Sequence, residues 1–175
     1  MSLDPGTPAP VFTLPATGGR TISLESLRGQ PVVLYFYPKA DTPGCTKEAQ
    51  AFQEQLPALD GVTVIGVSKD GLPALEKFAA KYGLTFPLAS DTQGVVEAYD
   101  AWVEKAMYGK TYMGIDRSTV LVDRHGKVAR IWRKVKVPGH AAEVVQAVKD
   151  MVEDTVQGGH VLAVITLGLR NMYSK

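Results

Sequence analysis

The sequence predicts an α/β protein with a mixed central sheet, helices on both faces and an N-terminal β-hairpin. Three observations lead there. Two unbroken apolar, β-rich runs, VVLYFY at 32–37 and VTVIGV at 62–67, are each followed by a segment with helix-start signals or helical periodicity. Two further β-rich runs, 118–122 and 128–133, flank the turn Arg124-His125-Gly126-Lys127. An amphipathic stretch at 141–156 closes the pattern.

In chain order, 11–14 and 21–23 read as short strands joined through Gly18 and Gly19, a small hairpin capping the domain. The run at 32–37 suits a central strand buried on both faces, and Pro38 ends it. Thr42 and Pro43 then open a helix that continues to about residue 56. Threonine fits the N-cap, and proline fits the first helical position, where its missing N–H has no partner to lose. After the second buried strand comes a helix at 73–82, with Leu75, Phe78, Ala79 and Tyr82 on one face and Gly83 at its end. Residues 86–89 form a third short strand, 93–101 a further helix, and 118–133 a β-hairpin. The last helix places Val144, Val145, Val148 and Val152 on one face. A parallel pair built by crossovers with an antiparallel hairpin at one side is the layout of a thioredoxin-like fold. One domain is expected over 1–157. The tail 158–175, with its apolar run VLAVITLGL, is expected to pack on its own monomer.

Composition narrows the function. Apolar residues make up 45% and charged residues 21% of 175, the balance of a water-soluble globular chain. A net charge of +1, with both signs interspersed, gives no footprint for nucleic acid or an anionic membrane. The nine-residue apolar stretch at 161–169 falls short of the ~20 residues a spanning helix needs. MSLDPGTPAP has no apolar run behind a basic start, so a cytoplasmic protein is expected. A single cysteine excludes an internal disulfide and every multi-cysteine metal motif. His125, His140 and His160 lack metal-ligand spacing and read as turn or surface residues; no metal or cofactor is expected.

The chemistry concentrates in Tyr37-Pro38-Lys39-Ala40-Asp41-Thr42-Pro43-Gly44-Cys45-Thr46. With Thr42 at the N-cap, Cys45 falls in the first turn of a helix that begins beyond a central strand. Unpaired N–H groups and the positive end of the helix dipole stabilise an anion there. A thiol so placed ionises more readily, and the thiolate is the nucleophile. A lone cysteine is ordinarily an inert core filler. The proline, aspartate, threonine and glycine that crowd this one are unlike core neighbours. Position favours reactivity without naming a reaction.

The pattern Pro-x-x-x-Thr-x-x-Cys, carried by Pro38, Thr42 and Cys45, resembles the peroxiredoxin active-site motif. YFYPKADTPGCTKEA is similar to the subgroup called peroxiredoxin Q or bacterioferritin comigratory protein. The block Tyr108-Gly109-Lys110 followed by MGIDRSTVLVD at 113–123 fits as well, and the resemblance spans residues 5–155. It implies a thiol-dependent peroxidase acting on hydrogen peroxide and organic hydroperoxides. Cys45 would be the peroxidatic nucleophile. Thr42 would hydrogen-bond the peroxide and the sulfur, and Pro38 would shield the thiolate. Arg117 would hold the thiolate ionised and bind the peroxide with its fork of donors. Glu48 would orient Arg117, although a glutamate in an early helical turn also serves as an ordinary surface charge.

The chain departs from the subgroup at Gln50, where many members carry a resolving cysteine. The sulfenic acid on Cys45 would therefore await an external thiol: thioredoxin, a glutaredoxin or a small molecule. A monomer is the subgroup's usual state, with a dimer as the alternative. The rival reading is a thioredoxin-fold monothiol protein that binds a partner or senses redox state without turnover. Arg117 separates the two, because a docking module needs no cation at its sulfur.

Overall fold

The computed structural model describes residues 2–159, with side chains through residue 153. The centre of the sheet is β3 (Val32–Phe36), every residue of which is buried. It runs parallel to β4 (Thr63–Ser68), in the register Leu34 opposite Ile65, and β5 (Leu88–Ser90) adds a third parallel strand beyond β4. On the other side β8 (Ser118–Val122) and β9 (Val128–Trp132) form the antiparallel hairpin, with β8 against β3. The N-terminal hairpin, β1 (Thr13–Ala16) and β2 (Arg20–Ser23), extends the β5 edge through the single pair Ala16–Ala89. The strand order is β2-β1-β5-β4-β3-β8-β9. Because β3 is covered on both faces as well as paired on both edges, it can be apolar throughout.

The helices are α1 (Pro43–Gln55), α2 (Leu72–Tyr82), α3 (Val95–Ala98) and α4 (His140–Gly159). The alternation of β3 splits the core in two. Val33, Tyr35 and Tyr37 point to the face covered by α1, α2 and α4, against Phe52, Phe78 and Val144. Val32, Leu34 and Phe36 point to the other face, which the N-terminal segment and α3 close with Phe12, Leu14 and Val96. Each large apolar side chain buried there contributes about 1.5–3 kcal/mol.

Most element ends differ from expectation by one or two residues. The last helix, α4, runs to Gly159, three residues past its expected end, and two segments differ in kind. The helix expected at 93–101 is the single turn α3. Gly94 before it has φ +77° and Asp100 after it φ +58°, both outside the helical basin. The buried Asp91 carboxylate accepts from the N–H groups of Gln93, Val95 and Val96 and holds that turn. The second is an antiparallel arm, β6 (Trp102–Met107) and β7 (Lys110–Ile115), in a segment assigned no strand from the sequence. Tyr108 (φ +52°) and Gly109 (φ +78°) turn it, and most of its residues are exposed. A pair of strands with little buried surface carries only a faint alternation signal.

The tail expectation for 158–175 falls almost wholly outside the described residues.

Candidate active site

Cys45 sits in the first turn of α1, just past the carboxyl end of β3. Proline at the first helical position and backbone Thr42 at the N-cap (φ −101°, ψ 157°) start the helix where the sequence placed it, and Thr46 N–H closes the first turn on the Thr42 carbonyl at 2.8 Å. One detail is corrected. The Thr42 hydroxyl does not cap the helix; it donates to the Lys39 carbonyl at 2.8 Å and braces the turn that enters it. Cys45 is 2% exposed.

Arg117 comes to this thiol from 72 residues away. It directly precedes β8, whose first residue, Ser118, pairs with Phe36 at the end of β3. The N–H of Val135 fixes its carbonyl at 2.9 Å. Its Nη2 donates to Cys45 Sγ at 3.3 Å and its Nη1 to Glu48 Oε1 at 2.7 Å. One fork thus joins two α1 residues three apart, on one helix face. The Arg117 side chain keeps 17% exposure while that of Glu48 keeps 2%, so the carboxylate is no surface charge. Burial pushes the Glu48 carboxyl up to about 7 against the pull of Arg117. Its Oε2 is buried without a hydrogen-bond partner among the described residues.

The floor beneath the cluster is aromatic. Tyr35 stacks on Phe52 at 4.7 Å and leans on Tyr37 at 5.4 Å. Burial pushes both phenols above their ordinary range, so they remain neutral. His140, expected at a turn or surface, is 5% exposed. It shares a 2.7 Å hydrogen bond with Thr119 and packs edge-on against Phe52 and Trp132. Burial holds its imidazole below the usual value.

Of the residues singled out from the sequence, Cys45, Glu48 and Arg117 are brought into direct contact. Thr42 and Pro38 lie on the loop leading into α1, with Thr42 half-buried and Pro38 exposed. Gln50 is on the exposed side of α1. Sequence reasoning missed the part of Gly44. A β-carbon there would stand 3.2 Å from Arg117 Nη2, so the guanidinium crosses its bare α-carbon on the way to the sulfur. The neighbouring cysteine was the one signal that could have pointed to it.

A thioredoxin-like fold with one thiol at a helix start, and a guanidinium donating to it, defines a protein built for thiolate chemistry. Comparison with known proteins identifies the chemistry. Residues 5–131 match the AhpC/TSA family. The chain is 45% identical over 157 residues to peroxiredoxin Bcp of Bacillus subtilis, covering 87% of this chain and 99% of that one. It is 46% identical over 147 residues to peroxiredoxin Bcp of Xanthomonas campestris, covering 81% and 92%. A solved structure of the Xanthomonas campestris bacterioferritin comigratory protein, from work on that protein's alkyl peroxide reduction activity, superposes with a TM-score of 0.79 at 41% identity, covering 85% of this chain and 99% of the other. The chain belongs to the AhpC/TSA family, in its peroxiredoxin Q or Bcp branch. It is a thiol-dependent peroxidase, an oxidoreductase.

Proposed function

We propose that Cys45 is the peroxidatic nucleophile of a one-cysteine cycle acting on hydrogen peroxide and organic hydroperoxides. The thiolate attacks the terminal peroxide oxygen; an S–O bond forms, the O–O bond breaks, and the departing alkoxide or hydroxide takes up a proton. Sulfur is oxidised to sulfenic acid and the peroxide is reduced to alcohol or water. Arg117 donates to the sulfur and to the peroxide, Thr42 hydrogen-bonds the peroxide, Pro38 screens the thiolate, and Glu48 orients Arg117. A positioned donor of this kind contributes about 3 kcal/mol of transition-state stabilisation. The observation that carries the reading is the pair of Arg117 contacts, to Cys45 Sγ at 3.3 Å and to Glu48 at 2.7 Å. A partner-docking monothiol has no need of that arginine.

The second half of the cycle follows from the single cysteine. An external thiol attacks the sulfenic sulfur and releases water. A second thiol then frees Cys45 and leaves as a disulfide. Thioredoxin, a glutaredoxin or a small thiol supplies these electrons, and a cytoplasmic setting keeps such thiols reduced. No helix among the described residues is long and apolar enough to cross a membrane.

Intact mass under non-reducing conditions tests this cycle. One equivalent of peroxide should add one oxygen to the chain, and excess peroxide a second as the lingering sulfenic acid becomes sulfinic. A covalent dimer through Cys45 as the main product would require a different second half. A Cys45→Ser variant that still consumes peroxide would remove the assignment.

A further inference from the structure

The loop between β3 and α1 is exposed at Pro38, Lys39 and Asp41, yet it is tied down along its length. The Thr42 hydroxyl braces it internally. The Ala40 N–H donates to Asp70 Oδ2 at 2.8 Å, an oxygen that also accepts from the Ser68 hydroxyl at 2.8 Å. Asp41 reaches across to the last turn of α2. Its Oδ1 accepts from the Tyr82 hydroxyl at 2.7 Å and its Oδ2 from Lys81 Nζ at 3.0 Å. These two donors hold the Asp41 carboxyl below the usual range, Tyr82 foremost.

Asp41 does this from an unfavourable backbone. Its φ is +58°, a left-handed conformation that glycine adopts far more readily. What aspartate brings to the position, and glycine would not, is the carboxylate. Exposed ion pairs add little to global stability, so the effect of this one falls on the loop it holds. That loop leads directly into Thr42 and, one helical turn later, Cys45.

We propose that Asp41 is a positioning residue of the peroxidase reaction: gripped by Tyr82 and Lys81, it pins the loop that delivers Thr42 and so keeps the Cys45 pocket closed and aligned. The inference rests on Cys45 being the peroxide nucleophile. Displacement at an O–O bond needs in-line approach, and a misplacement near 1 Å lowers such a rate by up to about a hundredfold. A loosened loop would spoil that alignment while admitting reagents that need none.

The test uses three full-length variants: Asp41→Gly, which suits the backbone but lacks the carboxylate; Asp41→Asn, which keeps an acceptor for Tyr82; and Lys81→Ala with Tyr82→Phe, which removes the grip from the α2 side. For each, hydrogen peroxide oxidation of the reduced protein is followed by stopped flow, and iodoacetamide alkylation of Cys45 is measured at the same pH. Asp41→Gly and the α2 double variant should each lose about tenfold in peroxide rate while alkylating several times faster, and Asp41→Asn should keep most of the wild-type rate. Peroxide rates equal to wild type in Asp41→Gly and the double variant would overturn the inference. Peroxide and alkylation rates falling together would also overturn it, as would Asp41→Asn failing as badly as Asp41→Gly. Should Asp41→Gly not fold, the double variant decides, since it leaves the loop untouched. A wild-type protein inert to peroxide would remove the nucleophile assignment itself, and this inference with it.

Discussion

Arg117 crosses the α-carbon of Gly44 to reach its target. The nitrogen that stands 3.3 Å from Cys45 Sγ would lie only 3.2 Å from a β-carbon built on Gly44. One guanidinium nitrogen therefore stands against two adjacent residues of α1, and a side chain at position 44 would press Arg117 away from the thiol.

Gly44→Ala should consequently separate stability from activity. Gly44 has no positive φ, and alanine in a helical position is favoured over glycine by about 0.5–1 kcal/mol. Thermal unfolding should show an unchanged or raised midpoint, while the peroxide rate falls about tenfold as Arg117 is pushed from the sulfur. An alanine variant with the wild-type rate would mean that Arg117 yields without leaving its post.

Arg117→Lys preserves charge but not geometry. One ammonium cannot reproduce two nitrogens aimed separately at Sγ and at Glu48 Oε1. The second-order rate constant with hydrogen peroxide should drop by about a hundredfold or more. Near-full reactivity in stopped flow would reduce Arg117 to a general source of positive field.

Glu48 links the site to pH. In the fold its carboxyl is raised by burial from 4.5 to about 7. Between those values the folded protein therefore holds a proton that the unfolded chain has released. Stability should be fullest at the acidic end of that window and fall as pH rises through it, by at most about 3 kcal/mol. Glu48→Gln should flatten this slope in urea titrations run across the window. The wild-type peroxide rate should carry an inflection near 7, as Glu48 ionises and tightens its hold on Arg117. If the same inflection survives in Glu48→Gln, it belongs to another group.

Thr42→Val should slow the reaction with peroxide and destabilise the protein by about 1 kcal/mol. The loss comes from the bond to the Lys39 carbonyl that braces the entry turn, not from a helix cap. Thr42→Ser keeps the hydroxyl and should recover most of both. Kinetics unchanged in the valine variant would take Thr42 out of the site.

Much of this protein is legible without coordinates wherever the determining forces are local or periodic. VVLYFY reads as a doubly buried strand because only a strand covered on both faces tolerates unbroken hydrophobicity. Pro43 and Gly83 mark the start of α1 and the end of α2 through their own backbone restrictions, and Gly83 has the left-handed φ of +63° that such an ending uses. Segments governed by weaker signals read less well. α3 is cut short by Gly94 and Asp100, and the β6–β7 arm buries too little to impose a pattern.

The sequence by itself determined that there is one thiol, that it opens a helix at the end of a central strand, and that no second cysteine can answer it within the chain. Those facts reside in residue identity and in interactions a few positions apart. Only the tertiary structure decided what surrounds the thiol. The antiparallel pairing of β8 with β3 carries Arg117 across 72 residues to Cys45, and packing of α1 on the sheet buries Glu48. The same packing draws His140 inward to Thr119, and an α2 tyrosine and lysine meet Asp41 across 41 and 40 residues. Such contacts depend on how strands register and helices settle, and a side chain's own neighbours in the chain carry no record of them.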